Sequence, residues 1–408
     1  GSSELRAEHV LNEIERKSTM DAGKLAGLNV LGVVNEPTAA ALFYASQVPV
    51  NGNIVVYDLG GGTFDVSVIR INHGQVETLS SKGNGHLGGI NFDNELTRHL
   101  VINARQELGQ ELFPDHFFDE MPTESSEEAK AYFKVMELAE KAKKQLSARE
   151  QARANTVLQG GNLRMSVTRD EFEEMISSHL LTTEMLLENA LEDAGLAPGD
   201  IKKVLLVGGS TRIPKVSQML EAFFGFAPEK SLDPDEVVVL GAAIMAAKRK
   251  MKESEGAGIS AAVRVKVGKA SVIECTNKFL GILSMGLNEA RGEETLRNEI
   301  VIRQGSILPC SVNRVHKTTV EAQRQLIIEI TESEEETSDP EHVHNIGHVI
   351  LELPEACPKG YAVYVSFGYD IDHRLIFSAE MPGHGRLDGD LYYDDAGNIQ
   401  TTEMKQAA

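Results

Sequence analysis

The feature that most constrains this chain is a change of period partway along it. Up to about Lys250, segments with apolar residues at helical spacing alternate with short runs rich in β-branched residues. Beyond Ala262 the texture becomes alternation of period two, in RVKV, NEIVIRQG, RQLIIEITE, GHVILELPE and YAVYVSFGYD. The two periods bury their apolar faces in different ways, so they predict two cores: an α/β domain and then an all-β sandwich. Between them KESEGAGISAA (Lys252 to Ala262) is small, polar and glycine-containing, as a linker is. The plan is therefore an α/β domain over 3–251, a linker over 252–263, a sandwich over 264–385 and a C-terminal tail over 386–408. With 408 residues the chain is long enough for both cores.

Within the α/β part, the spacing predicts a helix from Asn12 to about Leu28 and a strand NVLGVV (Asn29 to Val34). EPTAAALFYAS then reads as a helix with Pro37 in its first turn. VVYDLGGGTFDVSVI (Val55 to Ile69) reads as strand, glycine turn, strand. A further strand, QVETLSSKG, runs into the glycine-rich turn GNGHLGG. Residues 91 to about 150 are mostly helical, TVLQGGNLRMSV is a second hairpin, and DEFEEMISSHLLTTEMLLENALEDAG is one long helix. KVLLVGG is a buried strand, a helix opens at Ser210 to Pro214, and another covers Glu236 to Lys250.

Composition excludes several roles. A formal charge of −21 argues against a general nucleic-acid or anionic-membrane binder, either of which shows a basic face. Cys275, Cys310 and Cys357 are too far apart for a CxxC metal site and odd in number, so they predict idle or buried thiols. The longest apolar run, VVVLGAAIMAA, is too short to span a bilayer. With no apolar signal region near the N-terminus, a cytoplasmic location is expected.

Chemistry concentrates at the glycines. Gly60, Gly61 and Gly62 carry no side chain, so their amides can face phosphate oxygens, and Thr63 adds a hydroxyl. Asp58 and Asp65 flank them; a carboxylate beside phosphate suggests a hydrated Mg²⁺ or an oriented water. The plain alternative is a tight hairpin with solvated aspartates. In LLVGGSTRIP a strand ends in Gly208-Gly209, Ser210 can cap the next helix, and Arg212 could stack on a flat ring. Glu140, Lys143 and Lys144 share one helix face, which by itself reads as a solvated, ion-paired helix.

Taken together, NEPTAAA, DLGGGTFDVSV, GHLGG-NFDN, LVGGSTRIPK and DPDE-V--GAA stand in the order and spacing of the 70-kDa heat-shock protein (DnaK-type) chaperones, which the chain resembles from about residue 12 to 250. The resemblance implies an actin-like ATPase domain using ATP/ADP and Mg²⁺. By it, Asp58 and Asp65 order the Mg²⁺ shell and the attacking water, with Gly60, Gly61, Gly62 and Thr63 on the phosphates. Glu36 and Pro37 sense the γ-phosphate and Arg16 relays that state. Gly208, Gly209, Ser210 and Arg212 hold adenosine, Glu140, Lys143, Lys144 and Ser147 surround the ribose and base, and Asp235 closes the pocket. Lys144 stands where the family usually has an arginine. The β-rich part resembles the family's peptide-binding sandwich through strand pattern alone. That register puts Leu326 at a central apolar pocket, with Ile282, Leu283 and Met285 beside it; plain sandwich core is the alternative for each. Implied partners are unfolded or extended polypeptides, a J-domain co-chaperone and a nucleotide exchange factor, without nucleic acid or membrane.

The chain also departs from the pattern. It contains no D-x-G-T-T loop and none of the family's catalytic lysine that comes after it. AEHVL stands in place of the usual VPAYF strand, SAAVRVKV in place of an acidic leucine-rich linker, and no helical lid is read after the sandwich. Lobe II of the ATPase fold, about Asn53 to Lys250, reads as complete and lobe I as mostly absent. Hydrolysis is therefore the doubtful step, since phosphoryl transfer needs charge neutralisation from both sides of the cleft. Two functions stay open: a DnaK-like chaperone with a divergent or incomplete ATPase, and a non-catalytic peptide-binding or scaffold protein using lobe II as a platform. A small-molecule kinase of the actin-like superfamily fits the motif wording and the β module poorly.

Overall fold

The computed structural model describes residues 13–108, 127–158, 161–253, 271–273, 276, 278–288, 293–333, 335–370, 375–382, 385–393, 399–401 and 405–406. The chain divides into two compact units. Of the described residues, the first unit holds those within 35–247 and the second those within 13–34, 248–253 and 271–406.

The second unit includes the first helix, α1 (Glu13–Leu25). The segment NVLGVV after it forms no strand. Instead the Arg249 guanidinium donates to the carbonyls of Leu31 at 2.9 Å and Val33 at 3.4 Å, occupying acceptors that a sheet ladder would use.

In the first unit, α2 (Glu36–Gln47) precedes β1 (Gly52–Leu59), β2 (Phe64–Asn72) and β3 (Gln75–Asn84). Then come α3 (Gly89–Leu108), α4 (Glu127–Ala148) and the ribbon β4 (Gln151–Leu158) with β5 (Gly161–Thr168). The stretch expected to be one long helix is broken at Ile176 into α5 (Arg169–Met175) and α6 (Ser177–Asp193). A capping box between Thr168 and Glu171 starts α5. After it lie β6 (Ile201–Val207), α7 (Pro214–Phe224) and α8 (Val237–Glu253), whose residues from Lys248 onward belong to the second unit. β1 pairs antiparallel with β2 and parallel with β6, and β2 pairs antiparallel with β3.

β1 is buried from Ile54 to Leu59 without alternation, the pattern of a strand covered on both faces. Val55, Tyr57 and Leu59 join Phe64, Phe92, Leu96 and Leu187 in one core. α2, packed on β1, β2 and β3, buries Ala39, Ala40, Ala41 and Leu42 completely. A strand fixed on both faces also fixes the start of the turn beyond it. Here the last strand residue is Leu59, next to the glycines.

The rest of the second unit is β: β7 (Ser271–Ile273), β8 (Phe279–Asn288), β9 (Glu293–Ile302), β10 (Cys310–Lys317), β11 (Gln323–Ser333), β12 (His344–Cys357), β13 (Ala362–Tyr369), β14 (Leu375–Met381), β15 (Gly385–Tyr393), β16 (Ile399–Thr401) and β17 (Lys405–Gln406). Strands β10-β13-β14-β15 lie at one end of the hydrogen-bonded order and β12-β11-β8-β9 at the other. Leu280, Ile330 and Val349 from the second group and Val365, Phe367 and Phe377 from the first share one core, with the two phenylalanine rings 5.3 Å apart. Residues 386–393, read from sequence as the start of a tail, continue this structure, since β15 pairs antiparallel with β14 from Asp390–Ile376 to Gly385–Met381. Of the expected linker, only Lys252 and Glu253 are described, as the end of α8; the remainder lies outside the described residues. Among the described residues no helix is long and apolar enough to cross a membrane.

Candidate functional site

The β1–β2 ladder ends with Asp58 directly opposite Asp65 and Leu59 opposite Phe64, leaving Gly60 to Thr63 as the turn. Gly60 N–H closes it by donating to the Thr63 carbonyl at 3.0 Å. A second glycine segment braces the turn from the side: Gly89 N–H donates to Gly60 O at 3.0 Å and Ile90 N–H to Gly61 O at 2.7 Å. The Ser210 hydroxyl also donates to Gly60 O, at 2.8 Å. The carbonyls of Gly60, Gly61 and Thr63 are therefore spent on protein. A Cβ on Gly61 or Gly62 would meet nothing within 4 Å, so the tip is open.

Under the tip, three carboxylates gather. Asp58 is buried, and Glu36, in the first turn of α2 next to Pro37, lies close enough to hydrogen-bond it. Burial, then the charge of Glu36 and that hydrogen bond, push the Asp58 pKa up to about 7. Burial, then the charges of Asp58 and Glu36, push Asp65 up to about 8. Asp65 Oδ1 is buried and has no hydrogen-bond partner. Like charges facing each other across a ladder destabilise it, and a buried polar atom without a partner costs more. Gly83, opposite Asp65 on β3, leaves the room this carboxylate needs, because a Cβ there would collide with Oδ1.

The other wall comes from the end of β6. Gly208 has φ 81°, and a Cβ on it would run into the Leu59 carbonyl and stand 2.9 Å from Asp58 Oδ1. Only glycine lets β6 turn there against the hairpin. The Gly208 amide donates to Pro234 O, and Gly209 to Arg212 form one 3₁₀ turn before α7, so the α-helix begins at Pro214, at the end of the expected Ser210 to Pro214 window. The exposed Arg212 guanidinium is held by Asp233 at 2.8 Å and Asp235 at 2.7 Å. A Cβ on Gly209 would stand 3.4 Å from Asp235 Oδ1, so Arg212, Asp235 and the glycine pair form one rim.

Helix α4 sorts its candidates by depth. Lys143 is nearly buried and reaches Gly89 O at 3.0 Å and Asp93 at 2.7 Å, which ties it to the segment bracing the hairpin. Lys144 and Glu140 pair with each other at 2.6 Å on the solvent side. The Ser147 hydroxyl donates to the Lys143 carbonyl of its own helix at 3.3 Å. Asp93 is a site residue that the sequence reading misses, although it lies within the NFDN motif. Its burial and its pairing with Lys143 depend on α4 crossing α3, which no local pattern encodes.

The structure thus gathers Glu36, Pro37, Asp58, Gly60 to Thr63, Asp65, Gly208 to Ser210, Lys143, Arg212 and Asp235 around one hairpin, while Glu140 and Lys144 face water. Arg16 lies in α1, and its side chain is outside the described residues. Of the residues read as peptide-binding, Ile282 and Leu326 sit in the sandwich core. Leu283 is half-buried and Met285 is 61% exposed.

A family model described as Hsp70 protein matches residues 10–383. Members of that family are chaperones with an actin-like ATPase fold, and the mixed α/β first unit is consistent with it. They bind ATP or ADP with Mg²⁺ and act on unfolded polypeptides together with co-chaperones. A match over most of the chain, on top of the hairpin geometry, shows that this chain belongs to the Hsp70 family.

Proposed function

We propose that this chain binds Mg·ATP and Mg·ADP at the Gly60–Thr63 hairpin and extended apolar peptide segments on the β-sandwich. The observation that carries the first half is the buried, unpartnered Asp65 Oδ1 beside Asp58 and Glu36. Such a cluster suits a cation held at one remove. Asp58 and Asp65 would hold Mg²⁺ through its water shell; among the described residues no group of three His, Cys, Asp or Glu side chains is placed to hold a metal ion directly. When bound, the ion supplies the positive charge that offsets both the carboxylates and the phosphates.

The chain's own groups do the rest. The open amides at Gly61 and Gly62 and the Thr63 hydroxyl would hold a phosphate chain. Lys143, paired with Asp93 and bonded to Gly89 O, holds the segment that braces the turn. Gly208, Gly209 and Ser210 keep the backbone low where adenosine would lie, and Arg212, clamped by Asp233 and Asp235, offers a flat face to the base. Glu36 and Pro37 at the start of α2 respond to the charge state of Asp58. In the sandwich, main-chain bonds to an extended peptide supply affinity and the Leu326 neighbourhood supplies selectivity. Hydrolysis by these 408 residues alone is slow or absent, because they hold no D-x-G-T-T loop to neutralise the far side of the phosphates.

Calorimetric titration with Mg·ADP, Mg·ATP and an apolar extended peptide tests this reading. Nucleotide should bind, Asp65→Ala should weaken it at least tenfold, and steady-state phosphate release should stay near background. Nucleotide affinity unchanged by Asp65→Ala would sink the hairpin assignment. Peptide binding with no nucleotide binding at all would select the non-catalytic platform instead.

A further inference from the structure

The β4–β5 ribbon has two unlike faces. Ala152, Leu163, Met165 and Val167 point inward and are buried in the main core of the first unit. The opposite face presents Arg153, Asn155, Val157, Asn162, Arg164 and Ser166, all exposed, along a groove of about 660 Å³. Among the described residues no carboxylate lines that groove. Among the same residues neither arginine forms an ion pair, whereas Arg70, Arg169, Arg212, Arg303 and Arg314 each have an acidic partner. Arg149, Arg297 and Arg324 likewise form no ion pair among the described residues; what sets Arg153 and Arg164 apart is that they stand side by side on one face of a ribbon, a local basic patch in a chain of charge −21.

The register sets their spacing. Arg153 lies opposite Ser166 and Asn155 opposite Arg164, so the two arginines are diagonal neighbours, about 7–8 Å apart at the backbone. Carboxylates on alternate residues of an extended chain repeat at about 7 Å. Each could take a bidentate guanidinium, with Asn155 and Asn162 bonding the main chain between them. The described strands β4 and β5 pair only with each other, so the ribbon also offers unpaired edge groups to an incoming strand. A long polyanion would meet the repulsion of the whole chain, which favours a short acidic segment over nucleic acid.

We propose that this face docks an extended, acidic segment of a partner polypeptide, two of whose alternate carboxylates pair with Arg153 and Arg164. The test uses the full chain and a fluorescein-labelled decapeptide of alternating Glu and Thr, monitored by anisotropy at low salt. Binding is expected, falling steeply as salt is raised because both arginines are exposed. Arg153→Glu with Arg164→Glu should weaken it at least tenfold, and Arg153→Lys with Arg164→Lys by a few-fold, because lysine lacks the bidentate fork. Circular dichroism and thermal melting of each variant show that the ribbon still folds. Equal binding by the charge-reversed variant overturns the proposal, and so does equal binding of a Lys/Thr decapeptide. Tighter binding of an oligothymidylate than of the acidic peptide would overturn it too, making the face a nucleic-acid surface.

Discussion

The hairpin of the first unit and the Asn298–Thr331 pair of the sandwich both take polar groups out of water, and they meet the cost in opposite ways. In the sandwich, the Thr331 hydroxyl donates to Asn298 Oδ1 at 2.6 Å and Asn298 Nδ2 donates to Thr337 O at 2.9 Å. The Asn298 backbone amide completes the set by bonding Ser338 O at 2.9 Å. Gly281 lies against the same oxygen with no space for a Cβ, so the pocket is closed and satisfied. In the hairpin, Asp58 faces Asp65, Glu36 adds a third carboxylate, and Asp65 Oδ1 bonds nothing. A closed polar pocket stabilises its fold; an open one of a single charge is held in place by the fold for something else.

The contrast is sharpest in the sign of two substitutions. Asp65→Asn should raise the stability of the first unit by about 1–3 kcal/mol at pH 9, because it removes a buried charge that faces like charges. The gain depends on pH in a defined sense. Asp65 titrates near 8 in the folded protein, well above its ordinary 3.8, so the fold prefers the protonated form. Its contribution is whole below about pH 4 and is lost as pH rises through 8. The advantage of Asp65→Asn should therefore grow across that window and level off above it, as measured by thermal melts at several pH values. Added Mg·ADP should stabilise the wild type and not the variant. Loss of stability in Asp65→Asn at pH 9 would make Asp65 a structural residue and break the comparison.

Asn298→Ala should do the reverse. It strands the Thr331 hydroxyl and the Thr337 carbonyl inside the sandwich, at a cost of about 1–3 kcal/mol independent of nucleotide. Urea titration monitored by tyrosine fluorescence checks it, and a neutral result would mean that water replaces the asparagine.

Legibility in the sequence divides along the range of the interactions involved. The hairpin, its two aspartates and the Gly208–Gly209 turn are readable because local chemistry writes them: β-branched runs, glycines where no Cβ fits, a proline opening α2. The division into an α/β part and a β part rests on a change of period, also local. Asp93 and its bond to Lys143 are not readable, because a helix residue does not announce which lysine of a distant helix will cross it. NVLGVV has a strand's composition, yet its carbonyls go to Arg249, a partner that no local pattern names. GRLDGDLYY reads as a tail for the opposite reason, being rich in glycine and aspartate, and becomes β15 by main-chain pairing with β14. Met285 and Leu326 share a strand pattern, but their different exposure emerges only when the sheets pack.

The smallest expected effect probes the sandwich from its acidic side. His316, on β10 opposite Val363, is half-buried, and its buried Nε2 has no hydrogen-bond partner. Burial holds its pKa below 6.5; Glu299 opposes that shift and Arg314, itself bonded to Glu299 at 2.8 Å, adds to it. The fold thus favours the neutral ring. That contribution is present above about pH 6.5 and is lost as pH falls through the lowered folded value, opposite in sense to Asp65. Going from pH 7 to pH 5, the wild-type sandwich should lose on the order of 2 °C of Tm more than His316→Gln does. The first unit, over the same interval, should gain, since the folded hairpin holds Asp58 and Asp65 protonated at pH values where the unfolded chain does not. Two melting components moving in opposite directions with pH would uphold the contrast between a core that excludes charge and a hairpin that collects it. A sandwich as insensitive to acid in the wild type as in the variant would show that water reaches His316, and the contrast would then rest on the hairpin alone.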